Sequence, residues 1–364
     1  MVRVNQKTFR HILSGRDTCA GATVLRLLLR LLSVPYGAAV RGRNLLYDRS
    51  LLTSVAAAAP VISVGNITTG GTGKTPLVIW LCRMLEAKGL RCAILTRGYK
   101  TEQGQMSDEP ALLAKACPNT TVVVDPDRAA GAEKAVTRHG ANVLVLDDGF
   151  QHRRLKRDLD ILTLDATCPF GFDHLLPGGL LREPLAGVRR ADLIVITRYD
   201  QVEPTAMQQL EERLTTLAPG VPVVKATHRH THAVTFGSRT LSLESLRGKR
   251  AFVFCGIGNP EAFFGHVTQN DIEVVGTRVF NDHHPYTLED LKAILEESRG
   301  CSAEVILCTQ KDWVKTALLN PERPQVPLAY LAMELDFVEG IDTIKEQVDR
   351  VLNKLQTTHG IAEK

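Results

Sequence analysis

The sequence predicts an α/β fold, a parallel sheet with helices on both faces, followed by a smaller second α/β domain joined by a β-hairpin-like linker. Three observations lead there. From about residue 60, short apolar runs alternate with helical patterns. The polar motifs fall just after those runs, where ligands bind in such sheets. Near residue 230 the alternation starts afresh.

Taken in order, "PVISVGN" reads as a buried strand, followed by a glycine-rich loop and a helix over 76–88. "RCAILTRGY", "TVVVD" and "ANVLVLDDG" read as three further strands, with the helical "RAAGAEKAVTRHG" before the last. "DLDILTLDA" and "ADLIVITRYD" follow, then a helix over 204–217. "HAVTFGSRTLSL" has the form of a hairpin around Gly237-Ser238. "RAFVFCGIGNPEAFF", "IEVVGTRVF", "AEVILCT" and "LAYLAMELDF" then supply the second unit. Within "HRHTH", His228, His230 and His232 would share one face of a strand and could hold a metal. With no carboxylate or cysteine beside them, a solvated linker is the plainer reading. The expected divisions are 1–50 for an N-terminal extension and amphipathic helix, 51–228 for the core, and 229–364 for the smaller domain with a C-terminal helix.

Composition narrows the class. At 364 residues with 44% hydrophobic and 23% charged residues, the chain is an ordinary soluble globular protein long enough for two cores. Eight scattered cysteines, without a CxxC pair, point to buried thiols rather than a disulfide framework. Before residue 50, nine Lys and Arg face only Asp17 and Asp48, a net +7, which leaves −3 over the remainder. Nucleic acid and an anionic membrane would both attract such an arm. No aromatic interleaving or helix-turn-helix pattern supports nucleic acid. In "TVLRLLLRLLSVP", Arg26 and Arg30 fall about 40° apart on a helix, and Val24, Leu25, Leu27, Leu28, Leu29, Leu31 and Leu32 cover the other side. The arginines make it a poor transmembrane span and a poor signal peptide. A helix lying in a membrane interface fits, as does one packed on the domain with its arginines in solvent.

The chemistry is concentrated in "GNITTGGTGKTP". Gly73-Lys74-Thr75 ends a phosphate-binding loop, although Thr68 stands where the usual pattern has glycine. Such loops aim backbone N–H groups and a helix N-terminus at an anion, while the lysine spans the outer phosphates and the hydroxyl ligates Mg²⁺. Thr68, Thr69, Gly70, Gly71, Thr72, Gly73, Lys74 and Thr75 are therefore the candidate nucleotide site. Position 68 asks for a turn rather than for contact with phosphate. The expected partner is a carboxylate closing an apolar strand, and "VLVLDDGFQH" supplies Asp147 and Asp148. With Thr75 they are the candidate metal ligands.

Three more stretches carry polar groups. "TRGYKTEQGQMSDEP" holds Arg97, Tyr99, Asp108 and Glu109; "LLPGGLLREPL" holds Arg182 and Glu183; "FNDHHPYT" holds Asp282, His283 and His284. Plainer readings stand beside the functional ones: Asp108 as a helix cap, Arg182 as a solvated charge, Asp282 as the cap of a helix from Thr287.

The motifs "VGNITTGGTGKTP", "LTRGYK", "SDEP", "DRAA", "LDDGFQHRRLKRDLDI", "PGGLLREPL" and "NDHHPYT", in that order, resemble the tetraacyldisaccharide 4′-kinases, the lipid A 4′-kinases, from about residue 30 to about 315. The resemblance implies a P-loop NTPase-like core and transfer of the γ-phosphoryl of ATP, with Mg²⁺, to the 4′-hydroxyl of a membrane-held acylated glucosamine disaccharide 1-phosphate. It implies a serine or threonine at position 68 as a family variant. Lys74 and Thr75 would hold phosphates and Mg²⁺, Asp147 and Asp148 the metal shell, with Gln151 nearby. Asp108 would be the general base and His283, from the second domain, would tune it. Arg97, Tyr99, Glu109, Arg128, Arg182 and Glu183 would complete the nucleotide and acceptor site. The implied location is the cytoplasmic face of the inner membrane of a Gram-negative-type bacterium, with no nucleic-acid partner. A kinase for another sugar-lipid acceptor and a P-loop nucleotide switch are the alternatives.

Overall fold

The computed structural model describes residues 6–98, 108–235, 239–258, 260–282, 284–317, 319 and 325–359, apart from the side chains of 6–8, 108 and 354–359. Helices α1 (Gln6–Ser14) and α2 (Ala20–Asp48) come first. Then follow β1 (Val61–Gly65), α3 (Lys74–Ala87), β2 (Cys92–Thr96), α4 (Asp108–Ala116), β3 (Thr121–Val124), α5 (Arg128–His139) and β4 (Val143–Asp147). Next are β5 (Leu159–Asp165), β6 (Leu193–Thr197), α6 (Pro204–Leu217) and β7 (Val223–Thr235). The remainder is β8 (Thr240–Ser242), β9 (Arg250–Cys255), α7 (Pro260–Gln269), β10 (Glu273–Val279), α8 (Leu288–Gly300), β11 (Val305–Thr309), α9 (Gln310–Thr316), β12 (Leu328–Glu339) and α10 (Ile341–His359).

Two compact units result. One comprises Met1–Glu102, Leu113–His228 and Leu335–Lys364; the other comprises Gln103–Leu112 and Arg229–Glu334. The C-terminal helix α10, grouped with the smaller domain in the sequence reading, packs with the first unit, where Asp349 pairs with Lys88 at 2.8 Å. The start of α4, including Asp108, groups with the second unit.

In the first unit the strands lie in the order β7-β6-β5-β1-β4-β2-β3, every pair parallel. Every residue of β1, β2, β4 and β6 is buried, which is why these runs are rich in Val, Ile and Leu. Leu144 and Leu146 pack with Ala132 and Ala135 of α5, while Ile194 and Ile196 pack with Met207, Leu210 and Leu214 of α6. Connections leaving β1 run toward β2 and β3, and those leaving β4 run back past β1 to β5 and β6. The reversal opens a crevice at the carboxyl ends of β1 and β4, where the phosphate loop and the Asp147-Asp148 pair sit.

The second unit has the parallel order β10-β9-β11-β12, with apolar clusters around Phe263 of α7 and around Ile294 of α8. The expected hairpin strands pair antiparallel, His232 opposite Ser242, while its tip at Gly237-Ser238 lies outside the described residues.

One local expectation is corrected. "HRHTH" is not a solvated linker but the middle of β7, with His228 buried. Among the described residues, no group of three or more His, Cys, Asp and Glu could hold a metal. The N-terminal helix runs through Pro35 and continues to Asp48. Its second half docks on the first unit through Tyr36 and Asn44, which hydrogen-bond to residues 182 and 183, and that docking offsets the amide bond proline removes.

Candidate active site

The phosphate loop leaves β1 through Asn66 and Ile67, both fully buried, and enters α3 at Lys74. Three threonine hydroxyls fix its path. Thr163 Oγ1 donates to Gly65 O at 3.0 Å and lies 2.8 Å from Thr72 Oγ1, while Thr197 Oγ1 donates to Thr72 O at 2.9 Å. On the entry side, Thr69 N donates to Leu180 O at 2.8 Å and Arg182 N to Ile67 O at 2.7 Å, with Thr68 bridging antiparallel to Leu181. This pairing explains the missing glycine. Positive φ occurs at Gly70 (122°) and Gly73 (81°), not at Thr68, whose backbone lies in a short β-bridge that any residue can adopt. At Gly73 a side chain would start 2.7 Å from His228 Nε2, so space and backbone both require glycine. Gly70 and Gly71 are exposed, Thr69 and Thr75 half-buried.

The bridge also delivers Arg182 to the loop. Its Nη1 and Nη2 each donate to Asp148 at 2.7 Å, and Nη1 also reaches Gln151 Oε1 (3.0 Å) and Asn66 Oδ1 (3.2 Å). Lys74 Nζ approaches the same carboxylate at 3.4 Å. Burial raises the Asp148 carboxyl, but the hydrogen bonds from Arg182 and the charges of Lys74 and Arg182 outweigh it and hold it at about 2. Asp148 itself has φ 53°, the sharp turn that lifts it off the end of β4.

A second buried carboxylate supports this group. Glu183 is fully buried and accepts from Gln151 Nε2 and Arg190 Nη1, each at 2.8 Å. Gln151 Nε2 donates as well to Asn66 O at 2.7 Å. Asp147, at the end of β4, is buried and accepts from Thr96 Oγ1 at 3.4 Å. Arg128, first in α5, is buried too; desolvation lowers its guanidinium from the usual value while the charge of Asp147 opposes that.

Lys74, Asp147, Asp148, Gln151, Arg182, Glu183 and Arg128 thus belong to one crevice of the first unit, and Arg182 is no solvated surface charge. Arg97 is exposed just beyond β2, and Glu109 is exposed on α4. Tyr99 and His283 lie outside the described residues, as does the side chain of Asp108, the first residue of α4. Asp282 does not cap α8: Thr287 does, in a capping box with Asp290, and His284 Nε2 lies 3.0 Å from Asp290 Oδ2. Asn66 and Arg190 were not candidates from sequence. Their only signal was position, one beside the glycine loop and one seven residues after Glu183.

A phosphate loop at the carboxyl end of a parallel sheet, with a lysine, a carboxylate and an arginine converging on it, defines a phosphotransferase of the P-loop class. The family model described as LpxK, tetraacyldisaccharide-1-P 4′-kinase, matches residues 25–353. The chain is 39% identical over 355 residues to the tetraacyldisaccharide 4′-kinase of Anaeromyxobacter sp. (strain Fw109-5), covering 93% of this chain and 95% of that one. It is 37% identical over 355 residues to that of Chlorobaculum parvum, with 91% and 95% covered. The crystal structure of LpxK from Aquifex aeolicus in complex with ATP superposes with a TM-score of 0.73 at 32% identity, over 90% of this chain and 99% of that one. The chain belongs to the tetraacyldisaccharide 4′-kinase family and is a kinase of lipid A biosynthesis.

Proposed function

We propose that the chain transfers the γ-phosphoryl of ATP to the 4′-hydroxyl of an acylated glucosamine disaccharide 1-phosphate held at the cytoplasmic surface of the inner membrane. The observation that carries this reading is the convergence of Lys74 and Arg182 on Asp148 beside the phosphate loop. The acceptor oxygen bonds to the γ-phosphorus, the bond from that phosphorus to the β,γ-bridging oxygen breaks, and the hydroxyl proton passes to a base. Such a transfer needs positioning and charge neutralisation more than covalent chemistry. Lys74 and the loop N–H groups hold the outer phosphates, and ATP as donor follows the ATP-bound relative.

The donors present, a threonine hydroxyl and two carboxylates, suit a hard cation that takes one or two carboxylates beside phosphate oxygens. Thr75, Asp147 and Asp148 would hold Mg²⁺, which when bound would neutralise charge on the transferring group. Arg182 keeps Asp148 ionised for that task, and Glu183, Gln151 and Arg190 keep Arg182 aimed. In this reading Asp108 takes the acceptor proton and His283 orients it, His284 being engaged with Asp290. Arg97, Tyr99, Glu109 and Arg128 contact nucleotide or acceptor. The roles of the two units follow: the first carries the nucleotide, and the second, with Arg229–Glu334, contributes to the acceptor side.

Membrane contact is assigned to α2. The helix is long and apolar enough to cross a membrane by length and composition. Yet Ser33 Oγ donates to Leu175 O (2.8 Å) and accepts from Gly178 N (2.9 Å), and Tyr36 Oη donates to Arg182 O (2.7 Å), so the helix is tied to the protein from residue 33 onward. The stretch 24–34, with Leu27, Leu28, Leu31 and Leu32 more than half exposed, covers about 16 Å, roughly half the hydrocarbon thickness. That geometry favours lying in the interface over spanning it.

The test offers γ-labelled ATP with purified disaccharide 1-phosphate lipid or with a polyprenyl-linked sugar. Label in the disaccharide alone is expected; label in the other acceptor, or in neither, overturns the reading. In the same assay Asp108→Asn and His283→Ala should each lower kcat by roughly 10²–10⁴, and the double variant should be scarcely worse than the more damaging single one.

A further inference from the structure

We propose that Arg10, on the N-terminal helix α1, is an additional phosphate-contacting residue that reaches the outer phosphates of the nucleotide held in the loop. A side chain at Gly70 would start 3.1 Å from Arg10 Nη2, so the guanidinium lies against the phosphate loop itself. Gly70 is exposed, and its φ of 122° belongs to the part of the loop that curls around an anion. Among the described residues no carboxylate pairs with Arg10, whereas Lys74 and Arg182 are both already drawn to Asp148. An uncommitted cation at a phosphate cradle is chemically suited to a phosphate oxygen, and a guanidinium can offer two parallel donors to it.

The placement is built rather than incidental. Ile12 and Leu13 bury their side chains, at 8% and 1% exposure, which fixes α1 on the first unit. Arg26 of α2 donates from Nη1 to Ile12 O at 2.9 Å and to Asp17 O at 3.2 Å, placing a positive charge at the carbonyl end of α1. Arg26 thus does not face a membrane or open solvent but anchors the helix that carries Arg10. Burial raises the Cys168 thiol, on the loop after β5, and the charge of Arg10 opposes it. The family model begins at residue 25, so this cation comes from a segment the model does not include.

Arginines that reach a transferring phosphoryl group contribute on the order of 10³-fold or more to turnover. The inference rests on the reading that the loop holds ATP. The experiment therefore starts with binding of a fluorescent ATP analogue to the full-length wild-type protein without acceptor, which tests that reading separately from acceptor transfer. Arg10→Ala, Arg10→Lys and Arg16→Ala are then compared; Arg16 is exposed on the same arm and controls for the loss of one charge. Arg10→Ala is expected to weaken analogue binding by about tenfold and to lower kcat by on the order of 10³-fold. Guanidinium ion in solution should restore part of the loss, Arg10→Lys should be intermediate, and Arg16→Ala should match wild type. Unchanged thermal unfolding of Arg10→Lys keeps the comparison free of misfolding. Sedimentation with phosphatidylglycerol–phosphatidylcholine vesicles separates the other phosphate source. If Arg10→Ala impairs only vesicle binding, or matches Arg16→Ala in analogue binding and kcat, the proposal is wrong.

Discussion

Arg182 grips Asp148 with both ends of its guanidinium, Nη1 to Oδ1 and Nη2 to Oδ2, each at 2.7 Å. The fork, added to Lys74 at 3.4 Å, is what holds the Asp148 carboxyl at about 2. A carboxyl lowered in the folded state adds stability above its unfolded value of about 3.8, and that share is lost as pH falls toward 2. Lysine cannot reproduce the two parallel donors. Arg182→Lys should therefore raise the Asp148 midpoint, read by carbon-13 NMR of the carboxyl. It should also cost roughly 1–3 kcal/mol in urea unfolding at pH 7. An unmoved midpoint would show that Lys74 alone sets the carboxyl.

The loop separates two kinds of substitution. Gly73→Ala meets His228 Nε2 at 2.7 Å and a φ of 81°, a backbone state that costs a non-glycine residue about 1–2 kcal/mol. It should abolish ATP-analogue binding. Thr68→Gly leaves the bridge to Leu181 available and should change KM for ATP by no more than a few-fold. The reverse ranking would mean that position 68, not 73, shapes the cradle.

Much of this was legible in the sequence, for identifiable reasons. The strands β1, β2, β4, β5 and β6 are largely apolar runs because both their faces are covered, and the loop follows β1 because the reversal of connections opens there. The Asp147-Asp148 pair is local to one strand end. What was not legible depends on distant pairing. Arg182 reaches Asp148 only because Thr68 bridges to Leu181, a contact no spacing encodes. "HRHTH" lacks an apolar run, yet it is held in β7 because the segment that follows folds back on it as β8. Arg10 sits by Gly70 through the docking of α1, which composition describes only as a basic arm.

Membrane contact through α2 has a direct readout. Leu28 and Leu32 are 54% and 57% exposed on the free half of the helix, so replacing both with Asp removes apolar area without opening the core. The double variant should no longer sediment with anionic vesicles, while analogue binding stays at wild-type strength. Wild-type sedimentation should weaken at high salt, because the basic arm contributes a screened attraction. Binding that survives the double change would place the contact elsewhere.

Acid sensitivity should trace to His152. Burial, with the charge of Arg128 adding to it, lowers this imidazole to about 4. As pH falls below about 6.5 the unfolded chain takes the proton first, so stability is complete above that value and is lost toward pH 4. The loss should be on the order of 1–2 kcal/mol by pH 5. His230, lowered to about 4 by burial in the second unit, adds its own share, so His152→Gln should flatten only part of the slope. Urea unfolding at pH 7 and pH 5 measures it; an unchanged slope in the variant would exclude His152 as a source.

The most direct measurement is the position of the new phosphate on the product. Protein, ATP, Mg²⁺ and the disaccharide 1-phosphate lipid are incubated, and the product is examined by phosphorus–proton correlation NMR, with Lys74→Ala in parallel. The account predicts a monoester coupled to the proton at carbon 4′ with the wild-type protein and none with Lys74→Ala, since Lys74 is the lysine of the cradle. A phosphate at any other hydroxyl, ATP turnover with an unmodified lipid, or full product from Lys74→Ala would contradict it.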